Sequence, residues 1–173
     1  MIEALRTYAE CFVCGESNPA GLHAHFSLGE TPGEMRGRFA SDARHQGYPQ
    51  RVHGGIVASL LDETLGRAVA LAGHWTFTAR LDVRYRLPVP AGAEVEAVAR
   101  QVRDRGRFVE ASGEARLPDG RVVAEASGLF LKLSAEEVDD LRREIWPDSV
   151  PDTAPPAVEA PPCTATPPAA EGR

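Results

Sequence analysis

His53-Gly54-Gly55-Ile56-Val57-Ala58-Ser59-Leu60-Leu61-Asp62-Glu63 is the stretch on which the reading of this chain turns. Two glycines stand where a helix should start. The first N–H groups of a helix have no intrahelical partner, so bare amides there can donate to an oxygen that gathers negative charge. Onward to residue 72, Val57, Leu60, Leu61, Leu65, Ala68, Val69 and Ala72 recur at steps of three and four, which predicts a helix over 53–72 buried along a broad apolar face. Gly55, Ser59, Asp62 and Gly66 fall on a second face. Its other three side chains are tiny or absent, so it leaves room beside one acid and makes Gly55, Ser59 and Gly66 candidates for lining a substrate. Glu63 lies about 100° further round the helix. It precedes Arg67 in an order that suits a solvated ion pair. Chemistry therefore goes to Asp62 and solubility to Glu63; the competing reading of Asp62 is an ordinary, partly exposed helix carboxylate.

Gly54 and Asp62 are separated by roughly 12 Å of helix at 1.5 Å per residue. One helix cannot bring both to a single carbonyl, whereas two subunits about a twofold axis can, with the amide of one meeting the acid of the other in two equal sites.

The flanks supply a scaffold. Phe77 to Leu87, Glu94 to Val102, Phe108 to Leu117 and Val122 to Leu133 have strand character, and Leu22 to Leu28 and Glu34 to Ala40 are shorter candidates before the helix. Leu81, Val83, Tyr85 and Leu87 alternate with Arg80, Asp82, Arg84 and Arg86, the pattern of a half-buried antiparallel strand. Leu117-Pro118-Asp119-Gly120 and Asp104-Arg105-Gly106 read as hairpin turns. The order strand, strand, helix, four strands predicts an α+β domain in which an antiparallel twisted sheet wraps one long central helix.

From Cys11 to Leu133 the sequence resembles the hotdog-fold acyl-CoA thioesterases, particularly the phenylacetyl-CoA thioesterase (PaaI)-like branch. The likeness is carried by Cys11-Phe12-Val13-Cys14-Gly15, Asn18-Pro19-Ala20-Gly21-Leu22, His45-Gln46-Gly47, Val52-His53-Gly54-Gly55, Leu61-Asp62-Glu63 and the strand Leu81 to Leu87. The resemblance implies Asp62 as the catalytic acid, nine residues after His53, and the Gly54 amide as the group that polarises the thioester carbonyl. It implies a supporting role for Gln46 in the upstream loop and for the Thr78 hydroxyl, seven residues before Tyr85. It further implies hydrolysis of an acyl- or aryl-CoA without a cofactor, in a homodimer or homotetramer whose sites lie between subunits. Two rivals stay open: a hotdog domain that only binds acyl-CoA, and an acyl-thioester hydratase or dehydratase, which would need a histidine beside the acid.

His53 is a candidate for the catalytic set because imidazole as a side-chain type serves as an acid or base near neutral pH, but just before a helix start it suits orienting the loop by hydrogen bonding. His45 and His74 read as loop residues. Cys11, Cys14, His23 and His25 are four potential zinc ligands in a short stretch, but His-x-His is not the usual spacing, and no metal is assigned. A thioredoxin-like role lacks the surrounding βαβ pattern.

At 173 residues, 43% hydrophobic and 25% charged, the chain suits one domain with a sizeable core. Three cysteines make no even disulfide framework, and the chain opens on no charged-then-apolar leader, so the expectation is a cytoplasmic protein. A net charge of −6 argues against nucleic acid as a partner, and no apolar run reaches membrane-spanning length. Arg100, Arg103, Arg105 and Arg107 crowd one turn, with Arg80, Arg84 and Arg86 on a nearby strand; these guanidinium groups suit the phosphates of coenzyme A, or simply a solvated surface. Ser134 with Glu137 marks a capping box for a short helix ending at Trp146-Pro147, closing a domain over 1–146. Residues 147–173 carry eight prolines among alanines and read as a disordered tail.

Overall fold

The computed structural model describes residues 3–146, so the expected tail lies outside the described residues. In chain order come a 3-10 turn (Glu3–Leu5), β1 (His25–Leu28), β2 (Glu34–Ala40), a second 3-10 turn (Ala43–His45), β3 (Gln46–Tyr48), β4 (Arg51–Val52), α1 (Gly54–Leu71), β5 (Thr76–Tyr85), β6 (Glu94–Arg105), β7 (Phe108–Arg116), β8 (Val122–Lys132) and α2 (Ala135–Ile145). Six strands form one antiparallel sheet in the order β1-β2-β6-β7-β8-β5, and β3 pairs with β4 apart from it. This is the α+β hotdog arrangement, with α1 as the rod in the middle.

The sheet face under α1 is built from small residues, with Ala97, Ala99, Ala111, Ala115 and Ala124 all buried. Short side chains let the helix come close, and Leu60, Leu61 and Leu65 fill the gap with no exposed surface. Each such leucine contributes about 1.5–3 kcal/mol of burial. Gly37 on β2 marks the tightest approach, since a Cβ there would lie 2.7 Å from Thr64 Oγ1 and 2.6 Å from the Phe26 ring. The two hairpin turns close as their sequences require: Gly120 N–H donates to the Leu117 carbonyl at 2.9 Å, and Gly106 N–H to Asp104 Oδ1 at 2.9 Å. Ser134 and Glu137 form the capping box that starts α2.

Several expectations are corrected. β1 begins at His25 rather than residue 22, because His23 takes a left-handed φ of 51° that no strand continues through. On α1, Ala72 is an exposed C-cap, while Thr64 and Arg67 are buried. Thr64 manages this by donating to the Leu60 carbonyl at 2.6 Å. The Glu63–Arg67 pair exists, at 2.8 Å, but is not a solvated one: the Arg67 side chain is 9% exposed and also donates to the Ala4 carbonyl and to Cys14 Sγ. On β5, Leu81 and Val83 are partly covered, while Tyr85 stays 52% exposed and Leu87, two residues past the strand's end, 39% exposed, because β5 is the outermost strand of the sheet. His45 is no free loop residue. It is buried, and its Nδ1 accepts from Asp42 N–H at 3.0 Å to cap the second 3-10 turn. His74, in the turn after α1, pairs with Asp104 at 3.2 Å.

After the first 3-10 turn, residues 6–24 run as irregular chain held by backbone bonds. Gly15 N–H donates to the Cys11 carbonyl, Leu22 N–H to that of Phe12 and Ala24 N–H to that of Val13. Asn18 braces this loop from within: its Nδ2 donates to the Glu10 carbonyl at 2.9 Å while its Oδ1 accepts from Ala20 N–H at 3.0 Å.

Candidate active site

Asp62 lies in the third turn of α1 and is partly buried. Thr78 on β5 reaches it, donating from Oγ1 to Asp62 Oδ1 at 2.9 Å. This contact depends on an irregularity of the strand. Side chains alternate along a regular strand, so residues an odd number apart point to opposite faces. Thr78 and Tyr85 are an odd number apart, yet both face α1, because the β5–β8 register shifts between Thr78 and Arg80. Thr78 stands opposite buried Phe130, and Tyr85 opposite buried Ala124. Burial raises the Asp62 carboxyl above its ordinary value; the Thr78 hydrogen bond opposes this, and the neighbouring Glu63 charge adds to it. With Oδ1 held, Oδ2 has no hydrogen-bond partner among the described residues.

The start of α1 forms a second cluster. His53 is the N-cap, and its Nδ1 accepts from Gly55 N–H at 2.9 Å, so that amide is committed and the ring acts as a cap. Gly54 N–H finds no partner among the described residues. Tyr85 donates from its hydroxyl to the Gly54 carbonyl at 2.8 Å and would crowd any Cβ at 54 at 3.2 Å, so glycine here is set by close approach. Ser59 donates to the Gly55 carbonyl at 2.9 Å, one turn below.

Of the expected residues, the fold brings Asp62 and Thr78 together, and His53, Gly54 and Gly55 together at the helix start. Gln46 spends both polar atoms on its own loop: Nε2 donates to the Ala43 carbonyl at 3.0 Å and Oε1 accepts from Gln50 N–H at 2.6 Å. Gly66 borders a cavity of about 320 Å³ whose other walls include Thr78, Phe130, Trp75 and Trp146. Trp75 and Trp146 meet edge to face at 5.8 Å between ring centroids, and Arg6 lies over the Trp146 ring. Tyr85 and the two tryptophans were not singled out for the site by sequence. The signal for Tyr85 lay in its odd spacing from Thr78, whereas α2 and the N-terminal chain reach the cavity only through folding. Among the arginines, Arg80, Arg86 and Arg105 are paired to Asp82, Glu125 and Glu110, while Arg84, Arg100 and Arg103 make no ion pair among the described residues. No helix among the described residues is long and apolar enough to cross a membrane.

A central helix cradled by an antiparallel sheet, with an acid partway along it met by a hydroxyl from the outer strand, defines a hotdog-fold protein. The sequence profile described as "Thioesterase superfamily" matches residues 50–124. Acyl-coenzyme A thioesterase THEM5 of Mus musculus is 32% identical over 94 residues, covering 53% of this chain and 38% of the relative, so the chain spans well under half of that protein's length. The crystal structure of a thioesterase superfamily protein superposes with a TM-score of 0.67 at 32% identity, covering 71% of this chain and 63% of the other. A mutant of the phenylacetic acid degradation protein PaaI from Thermus thermophilus gives a TM-score of 0.56 at 28% identity, covering 62% of this chain and 93% of the other. The chain thus has the hotdog fold and over residues 50–124 is similar to the thioesterase superfamily.

Proposed function

We propose that this chain hydrolyses the thioester of an acyl- or aryl-CoA at a site shared between two subunits. The observation that carries the reading is Asp62, a partly buried carboxylate with a raised pKa, one oxygen held by Thr78 and the other uncommitted. Water adds to the thioester carbon while Asp62 takes its proton, and the Gly54 N–H of the neighbouring subunit holds the oxyanion at the positive end of α1. The C–S bond then breaks, the proton passes from Asp62 to the departing thiolate, and carboxylic acid and coenzyme A leave. Direct attack by Asp62 through a mixed anhydride gives the same products. Single turnover in ¹⁸O-water separates the two, since only the anhydride route leaves label in Asp62.

The cavity beside Thr78, with Phe130, Trp75 and Trp146 in its walls, suits an aryl or compact medium-chain acyl group. The similar proteins point the same way: one is named an acyl-coenzyme A thioesterase and another a phenylacetic acid degradation protein. A hydratase reading draws less support, because His53 spends Nδ1 on Gly55 N–H and stands at the far end of the helix segment from Asp62.

The test is a panel of acyl-CoAs assayed for free thiol, with enoyl absorbance followed in parallel. Thiol release that falls about 100-fold or more in Asp62→Asn is expected. Turnover close to wild type in that variant rejects the assignment; binding without thiol release favours the ligand-binding reading, and a change in enoyl absorbance the hydratase.

A further inference from the structure

We propose that Cys11, Cys14 and Glu63 form a three-ligand site for a divalent zinc ion. The two sulfurs and a Glu63 carboxylate oxygen all lie within 4.8 Å of one another, although Glu63 comes from α1 and the cysteines from the N-terminal loop. In a tetrahedral zinc site such ligand atoms are about 3.5–3.8 Å apart, so a shift on the order of 1 Å in three side chains completes the geometry. The loop already presents the sulfurs in an ordered way. Val13 N–H donates to Cys11 Sγ at 3.3 Å, and Gly15 closes the turn where a Cβ would meet the Ala9 carbonyl at 2.4 Å. Arg67 orients the other two ligands, donating to Glu63 Oε1 at 2.8 Å and to Cys14 Sγ at 3.0 Å.

Charge balance agrees. Two thiolates and a carboxylate carry three negative charges, which one divalent cation and the Arg67 guanidinium neutralise in a largely buried place. Thiolates reject magnesium and calcium, while one carboxylate among the ligands favours zinc over softer copper(I). All three ligands border the cavity of about 320 Å³, so the fourth position opens into it and takes water or a small ligand. The histidines adjacent in sequence play no part: His23 Nδ1 lies 2.9 Å from the Gly15 carbonyl, and His25 is exposed on β1.

The three ligands take no part in the proposed thioester hydrolysis, although the fourth position faces the same cavity as the acyl group, and the test reads metal alone. The reduced full-length chain, stripped with chelator and then exchanged into stoichiometric zinc chloride, is expected to retain one zinc per chain by elemental analysis. With cobalt(II) it should show a thiolate-to-metal charge-transfer band. C11S/C14S should abolish that band and the zinc; E63Q should weaken zinc binding, and Arg67→Gln should do so on the order of 10- to 100-fold, as loss of a ligand-orienting partner does. H23A, H25A and C163S, the last at the third cysteine, which lies outside the described residues, should bind as wild type. Reduced wild-type chain that takes up no zinc overturns the proposal, whether its cysteines stay free or close to a disulfide; so does equal zinc uptake by the folded C11S/C14S variant, with folding checked by circular dichroism.

Discussion

The smallest unit of the site is a pair of hydrogen bonds from one strand to one helix. Thr78 holds Asp62 and Tyr85 holds the Gly54 carbonyl, so β5 fixes both the acid and the end of the helix that would bind the oxyanion. Tyr85→Phe removes the second bond and leaves the ring. Its cost in stability should be about 1 kcal/mol, seen as a small drop in melting temperature. Its effect on thiol release should exceed what that destabilisation explains and should fall on kcat more than on KM if the Gly54 amide has the oxyanion role proposed for it. A Tyr85→Phe enzyme with unchanged kcat would show that the helix end needs no latch. The small residues that flank Asp62 on one helix face were legible in the sequence, and the Thr78 contact with it only through the interval to Tyr85. Gln46 was not. Its polar atoms could serve a substrate or its own backbone, and which they serve depends on a turn at Ala43–His45 whose capping by Asp42 no spacing announced.

The decisive feature among the elements is the bulge in β5. Strict alternation would send Thr78 to the outer face while keeping Leu81, Val83 and Tyr85 inward; the extra residue near Ala79 lets all four face α1. Deleting Ala79 removes the unpaired residue and leaves Thr78 two positions from Leu81, so regular alternation still presents its hydroxyl to Asp62. The expected result is a folded protein by circular dichroism whose thiol release stays well above that of a Thr78→Ala variant. Thiol release as low as that of Thr78→Ala would mean that the register heals so as to send Thr78 to the outer face. Element boundaries were otherwise readable wherever one physical signal dominated: α1 from its apolar period, α2 from its capping box, the hairpins from Gly106 and Gly120. They failed where tertiary contacts outweighed local pattern. His23, with its ring on the Gly15 carbonyl, cut β1 short, and Arg67 was drawn inside by Glu63, Cys14 and Ala4 against its surface propensity.

At the scale of the whole molecule, a single chain leaves its own outer strand bare. β5 is the long edge of the sheet, with Phe77 56% exposed on it and Leu87 39% exposed just past its end, beside Tyr85 and the open Gly54 amide. An uncovered edge of this kind invites a second strand unless it is blocked. Pairing with β5 of another copy would also bring the helix start of one chain toward the acid of its neighbour, which the separation of roughly 12 Å along one helix otherwise forbids. A stable pair requires about 1,200–2,000 Å² of buried surface, more than two strand edges supply, so uncovered apolar side chains must join the contact. Phe77→Asp with Leu87→Asp places four carboxylates in such an interface while touching neither Asp62, Thr78 nor Tyr85. The double variant should elute as a monomer by light scattering, keep its circular dichroism spectrum, and lose thiol release in step with the loss of dimer. A monomer with full turnover would place amide and acid in one chain and end the two-subunit site. A dimer that persists with full turnover would move the interface elsewhere and leave the edge of β5 to some other use.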